Sequence, residues 1–595
     1  MKNVKEKIQT LREKMRDEQV AGCVIPSTDP HISEYTPKHW KTREWISGFT
    51  GSAGTVVITL EKAGLWTDSR YFLQAENQLK DSGIELFKMD LPGTPTLFDW
   101  LASELSSGDS VGIEGSVFSA SEALSLIENL SKKMIKVKTD FEPYSQLWED
   151  RPALPAHPAF ILPERFSGKS CRDKINEVNG ALKKNNADMT ILVGLDMIAW
   201  LFNLRGNDVA YNPVCLSYAV VSEKETVLFI RQEKLTEETA AYLREQGVIF
   251  ANYEKINEYV SRIPAGTRLL ITPAKINYGL YAAIPENCVK IEAPIHPVDA
   301  LKSVKNETEI AGIRNAMQKD GVAMVRFLMD LEKTLASGEK ISEMTIAEKL
   351  RHFRSEQDFY VGESFGTIAG YGPHGAIVHY EATPESNSEI LPESILLVDS
   401  GAQYFDGTTD LTRTLALGPV SDEMKRDYTL VLKGHIALAT ARFPQKTIGM
   451  QLDILARQFL WQNGTNYLHG TGHGVGFFLN VHEGPQNIRL NYNPATIETG
   501  MVTSNEPGLY RSGKYGIRIE NLILTKLYQT TEFGDFYAFE TLTLCPIDLK
   551  LIDFSLMTPS EKDWLNNYHQ MVYDRLSSSL SEEEKDWLKK YTCLA

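Results

Sequence analysis

The chain has 595 residues, 42% hydrophobic and 24% charged, with no low-complexity tract; this excludes disordered and fibrous classes and calls for several cores, roughly three or four domains. A net charge of −16 excludes the basic surface that phosphate-backbone binding needs, so no nucleic-acid partner is expected. Six cysteines without close pairing read as free thiols of a reducing compartment, and no window approaches the roughly 18 apolar residues of a membrane span, so the expected location is the cytoplasm, with no membrane partner.

Met1 to Val20 mixes charged residues with Val4, Ile8, Leu11 and Met15 at helical spacing and lacks the apolar stretch of a secretion signal, so it reads as a surface helix. Two later segments echo each other. Trp45 to Ser52 precedes Val56-Val57-Ile58, and Trp200 to Asn207 precedes Ala219-Val220-Val221; each reads as a short helix, a turn and buried strands. The Pro-rich stretch from Pro152 to Pro163 lies between them as a linker. Two related α/β domains are expected, residues 1–150 and 151–304.

From Asn306 the pattern changes. Asn306 caps a helix that carries Ile310, Ile313, Met317, Met324 and Leu328 on one stripe. Residues 305–595 then form a third domain, whose short strands and Gly-rich turns predict a curved antiparallel sheet flanked by helices. After Pro546 the chain ends in two helical segments, the first capped by Thr558 and Glu561 with Trp564, Leu565, Tyr568, Val572 and Leu576 as its apolar face.

This third domain holds the residues able to do chemistry. Ser394 to Val398 is an apolar strand ending in Asp399, and Thr408 to Thr414 returns with alternating polarity, so a hairpin brings Asp399 and Asp410 together. Two adjacent buried carboxylates repel unless a proton or cation lies between them; a pair of solvated turn aspartates is the alternative. In His469-Gly470-Thr471-Gly472-His473-Gly474-Val475-Gly476, four glycines in eight residues forbid a helix. The segment is therefore not a helical HExxH zinc motif, but a backbone free to approach something closely, with His482 and Glu483 following; a flexible loop with incidental histidines is the alternative. Glu506 follows a strand-like run. Gly516 to Leu524 alternates strictly and reads as one strand with Arg518 and Glu520 on one face, which suits a structural salt bridge or charge balance behind a metal site.

Four carboxylates and one imidazole from separate strands and loops suit a pair of oxygen-preferring ions about 3.5–4 Å apart. In order and spacing the set resembles that of the pita-bread metallopeptidases, the family of methionine aminopeptidase, prolidase and aminopeptidase P. The resemblance covers essentially the whole chain and is greatest to the long, three-domain aminopeptidase P form, through Asp399 to Tyr404, Asp406 to Asp410, His469 to Gly476 with Asn480 to Pro485, and Trp200 to Gly206.

That resemblance implies two creatinase-like N-terminal α/β domains before a pita-bread catalytic domain with a C-terminal helical extension, and hydrolysis of the N-terminal Xaa-Pro bond of peptides with proline in second place. It implies two divalent metal ions, Mn²⁺, held by Asp399, Asp410, His473, Glu506 and Glu520, with Asp410 and Glu520 bridging. His379, His482 and Glu506 are the implied catalytic residues; His469, Arg518 and Tyr510 are implied at the substrate site; a homodimer is implied as the assembly. Asn505 departs from the pattern, which has an acidic residue there. Proline explains a dedicated enzyme, since it lacks the N–H that strand-binding peptidases use. Two other readings stand beside this one: a prolidase confined to dipeptides, and a non-catalytic binding module, against which the complete ligand set counts.

Overall fold

The computed structural model describes residues 3–593. Met1 and Lys2, at the start of the predicted N-terminal helix, lie outside the described residues. The helix runs Val4–Asp17; Asn3 and Glu6 cap it reciprocally, and Ile8, Leu11 and Met15 are its buried face. The chain folds as two compact units, one of Met1–Leu162 with Lys169–Val298, the other of Pro163–Gly168 with Asp299–Ala595. Among the described residues no helix is long and apolar enough to cross a membrane. All six cysteines are free thiols.

The first unit contains two six-stranded sheets of the same design. In spatial order the first is Glu85–Lys88, Ala63–Thr67, Thr55–Thr59, Gly22–Ile25, Ser110–Gly112 and Lys136–Lys138. The second is Val248–Ala251, Thr226–Ile230, Ser217–Ser222, Met189–Leu192, Arg268–Ile271 and Val289–Glu292. In both, the three strands that are second, third and fourth in this order pair antiparallel and every other pairing is parallel. The echoing segments sit at equivalent places: helix Thr42–Ser47 stops at Gly48 with φ +73°, and helix Leu195–Phe202 stops at Asn203 with φ +52°. Each helix thus ends on a left-handed residue before the buried strands, as expected of a helix C-terminus. The Asn203 side chain accepts from Lys174 Nζ at 2.7 Å and donates to Lys169 O at 2.9 Å, which lets a residue other than glycine hold that conformation.

The second unit is built round helix Glu307–Ser337, whose stripe residues Ile310, Ile313, Met317, Met324 and Leu328 are buried. Asn306 and Glu309 form its capping box, as the sequence predicts. Every strand pairing in this unit is antiparallel. One sheet orders Ile368–Tyr371, Ile395–Ser400 and Leu411–Ala416; a larger one orders Arg442–Pro444, Gly534–Thr541, Asn521–Thr531, Val502–Asn505, Gly472–Gly474 and Glu483–Ile488. Helices Asp422–Ala439 and Pro559–Leu576 share a core with Ile517 and Ile519, through Tyr428, Val431, Leu565 and Val572. Pro163–Gly168 contributes Phe166, whose ring meets Phe359 and Phe405 edge-on at 5.3 and 6.0 Å.

One expectation is corrected. Gly516 to Leu524 is not a single strand: Tyr515–Arg518 pairs with Gly508–Arg511, and Asn521–Thr531 pairs with Val502–Asn505. Between them Glu520 N donates to Thr412 O at 3.1 Å, a third partner. Alternation records the face a side chain takes and not the strand beside it, and every residue from Tyr515 to Thr525 is buried, so the change of partner leaves no mark.

Candidate metal centre

Strand Ile395–Ser400 lies beside Leu411–Ala416 with Asp399 opposite Thr412, and every residue of both strands is buried. The hairpin therefore carries Asp399 and Asp410 into the core rather than to a solvated turn. His473 sits on Gly472–Gly474, where glycine is required by close backbone approach: a Cβ at Gly472 would stand 2.0 Å from Ser504 O, and one at Gly474 2.5 Å from Glu483 O. Glu506 follows Val502–Asn505, its own N donating to Thr471 O at 2.8 Å. Glu520 lies at the change of ladder.

These elements converge. Asp410, His473 and Glu520 each present one ligand atom such that all three lie within 4.8 Å of one another. His473 Nε2 is 3.5 Å from Asp410 Oδ2 and 3.4 Å from Glu506 Oε1. Its Nδ1 lies 2.9 Å from Gly474 O, which can only accept, so Nδ1 carries the proton and Nε2 turns its lone pair toward the carboxylates. That tautomer is the one that ligates a cation.

The carboxylates are charged against resistance. Burial, then the neighbouring charges of Asp399 and Glu506, holds Asp410 well above the usual carboxylate range; burial, then Asp410, Glu506 and Asp399, does the same to Glu520. Burial pushes Glu506 up to about 7, with Arg518 opposing and Asp399 adding to the rise. Asp399 Oδ1 is buried without a hydrogen-bond partner. An unsatisfied buried oxygen, two carboxyls that resist ionisation and one imidazole lone pair form a hard, oxygen-rich donor set that fits divalent cations.

Arg518 joins this cluster to its surroundings. Nη2 donates to Asp399 Oδ2 at 2.5 Å, Nε to Thr412 Oγ1 at 3.2 Å, and Nη1 to the Tyr510 hydroxyl at 2.7 Å. His469 Nδ1 donates to Gly470 O at 2.7 Å, so Tyr510 in turn donates to His469 Nε2 at 2.9 Å. Thr412 Oγ1 donates to Glu520 Oε2 at 2.8 Å, and Ser504 Oγ to Glu506 Oε1 at 3.1 Å. Sequence reasoning did not single out Thr412 or Ser504. The period-two run Asp410, Thr412, Thr414 was the available signal for Thr412, since it puts all three on one face.

His482 meets His473 edge-on, ring centroids 4.4 Å apart. His379 is half-buried in the turn after the short 3₁₀ helix Gly372–Ala376. That helix lies directly on Tyr515–Arg518, since a Cβ at Gly516 would fall 1.7 Å from Gly375 O. Asn505 faces away from the cluster and donates from Nδ2 to His435 O at 2.9 Å, a bond the acidic residue of the family pattern could not make.

Residues 311–526 match metallopeptidase family M24, residues 535–593 the C-terminal region of peptidase M24, and residues 7–143 and 150–309 each a creatinase/prolidase N-terminal domain. The fold is thus two creatinase-type N-terminal domains followed by a pita-bread catalytic domain, and the chain belongs to metallopeptidase family M24. It is 43% identical over 599 residues to the probable Xaa-Pro aminopeptidase P of Coprinopsis cinerea, covering 96% of this chain and 95% of that one. It is 42% identical over 600 residues to that of Botryotinia fuckeliana, covering 98% and 91%. The X-prolyl aminopeptidase of Caenorhabditis elegans, a cytosolic enzyme with a di-nuclear active site, superposes over 100% of both chains with 35% identity and a TM-score of 0.96. The Xaa-Pro dipeptidase of Bacillus anthracis covers 64% of this chain at 23% identity and a TM-score of 0.50, and shares the fold alone.

Proposed function

We propose that this chain is a metallo-aminopeptidase that hydrolyses the N-terminal Xaa-Pro bond of peptides with proline in second place. The observation that carries this reading is the Asp410, His473 and Glu520 cluster, in a chain matched end to end by Xaa-Pro aminopeptidases. The near full-length match to Xaa-Pro aminopeptidases favours the aminopeptidase over a prolidase.

Asp399, Asp410, His473, Glu506 and Glu520 would hold two divalent ions, which we assign as Mn²⁺. When bound, such ions lower the pKa of water from about 15.7 toward about 7 and so supply a nucleophile at neutral pH. Glu506 takes the water's proton and passes it to the departing proline nitrogen. His482 and His379 donate to the scissile carbonyl oxygen as negative charge develops on it. His469 and Tyr510 line the substrate end of the site, and Arg518 keeps Tyr510 and Asp399 in register. The peptide's free amine lies near the ligand carboxylates. We further assign the division 1–150, 151–304 and 305–595, supported by the two equivalent sheets of the first unit and with Pro163–Gly168 packed on the third domain, and we assign a homodimeric assembly and a cytoplasmic location.

The test is hydrolysis of Arg-Pro-Pro, Arg-Ala-Ala and Gly-Pro by metal-stripped protein with and without Mn²⁺, comparing wild type with Asp410→Ala. Arginine released only from Arg-Pro-Pro, only with Mn²⁺ and only by the wild type is the expected result. Cleavage of Gly-Pro alone assigns a prolidase, and silence on all three overturns the enzymatic reading.

A further inference from the structure

The segment that carries His379 contains no strand between Tyr371 and Ser388 apart from its first residue, yet it must present one imidazole reproducibly. A loop of that length is held by whatever fastens it. On one side its 3₁₀ turn rests on Gly516. On the other, it closes on a single carboxylate.

Glu343 is the first residue of helix Glu343–Ser355 and is fully buried. Its Oε1 accepts from Tyr371 N at 2.9 Å and from His374 Nδ1 at 2.9 Å. Its Oε2 accepts from the Tyr380 hydroxyl at 2.9 Å and from Ser388 N at 2.9 Å. Glu343 N also donates to Ser388 O at 3.2 Å. The four fastened residues bracket the segment: Tyr371 at its start, His374 in the 3₁₀ turn, Tyr380 immediately after His379, and Ser388 at its end. The His374 and Tyr380 rings stack at 4.5 Å over the same carboxylate, leaving little freedom to the five residues they flank. Burying a carboxylate costs several kcal/mol unless its lone pairs are filled, and here the donors that fill them all come from this one segment.

We propose that Glu343 is a positioning residue for the reaction, acting through His379: its carboxylate gathers both ends of the segment and the two residues nearest His379, and so sets where that imidazole stands. The inference rests on the reading that His379 donates to the scissile carbonyl. Helix N-terminal carboxylates commonly serve only their own helix; Glu343 instead turns away from its helix and spends both oxygens on the loop.

The test measures kcat and KM for Arg-Pro-Pro on Mn²⁺-loaded protein, with bound metal and Tm, for Glu343→Gln, Tyr380→Phe, His379→Ala and the doubles with His379→Ala. Glu343→Gln keeps the size but turns one acceptor into a donor facing donors. A lowering of kcat by about 10²-fold is expected, the usual cost of a displacement of about 1 Å, with KM and bound metal unchanged. Added to His379→Ala, it should cost nothing more, because the group it positions is gone. If Glu343→Gln fails to fold, Tyr380→Phe, which removes one of the fastenings, should show a smaller loss with the same non-additivity. Equal losses with and without His379, or a wild-type kcat in Glu343→Gln, overturn the inference. A wild-type kcat in His379→Ala overturns the role of His379 itself, a distinct result.

Discussion

Arg518 and Asp399 form a buried ion pair, Nη2 to Oδ2 at 2.5 Å, between strand Tyr515–Arg518 and strand Ile395–Ser400. The guanidinium faces Asp399 directly and lowers the carboxyl of Glu506. In the metal-free protein it is therefore a principal offset to four gathered carboxylates.

Replacing Arg518 by Met should destabilise the metal-stripped protein by about 3–5 kcal/mol, the usual cost of breaking a buried pair from one side. Mn²⁺ should restore more stability to the variant than to the wild type, because added cations take over the missing charge. Urea midpoints with and without Mn²⁺ measure this; equal losses in both states would mean Arg518 acts by packing alone.

Metal binding should release protons. Asp410 and Glu520 keep theirs well above the usual range and Glu506 to about 7, so the ions must displace them, and affinity should rise with pH through about 7. The stripped protein carries the matching sign: the contribution of Glu506 is fully present below its ordinary 4.5 and is lost as pH rises through about 7. Titration calorimetry with Mn²⁺ in two buffers of different ionisation heat counts the protons.

His31 makes the opposite prediction for the first unit. Burial holds its imidazole down to about 4 from 6.5, between Val193 O and the Tyr253 hydroxyl. The unfolded chain takes up this proton first, so stability should fall as pH drops from about 6.5 to about 4, by about 3 kcal/mol for this one residue. Asp29, pushed up to about 6 by burial, works with the opposite sign in an overlapping window. The measured quantity is therefore the difference in urea midpoint between His31→Gln and wild type across that range, and the variant should lose less on acidification.

Gly516→Ala should be costly at a position where the alternating sequence suggests nothing unusual. Its Cβ would meet Gly375 O at 1.7 Å, so one backbone must move. A loss of about 3 kcal/mol is expected from the overpacking, with kcat reduced because the 3₁₀ turn leading to His379 is displaced. Thermal unfolding and Arg-Pro-Pro hydrolysis on the same preparation report both.

Much of this site is legible in the chain because its chemistry needs unusual neighbours. His473 between two glycines, and Asp399 and Asp410 at the ends of a short return, leave a local mark that ordinary core residues do not. The echo of Trp45 to Ser52 by Trp200 to Asn207 likewise shows, since each ends a helix on a left-handed residue at the same place in a sheet. What stays hidden is partnership at long range. Nothing near Thr412 announces that its hydroxyl serves Glu520, nothing near Glu343 announces a loop ending at Ser388, and the transfer of Ile519 and Glu520 from one ladder to another leaves the alternation intact.

The catalytic unit is not contiguous in the chain. Pro163–Gly168 belongs to it, with Phe166 against Phe359 and Phe405 and Ser167 O accepting from Asn306 Nδ2 at 2.9 Å, just where the long helix begins. A gene fragment starting at residue 299 would thus encode every proposed metal ligand yet omit a short piece of its own fold, baring two aromatic rings and loosening the residue that caps the longest helix. A single cut therefore does not separate this unit from the rest of the chain, and a shortened version that keeps the cap of the long helix carries that hexapeptide along.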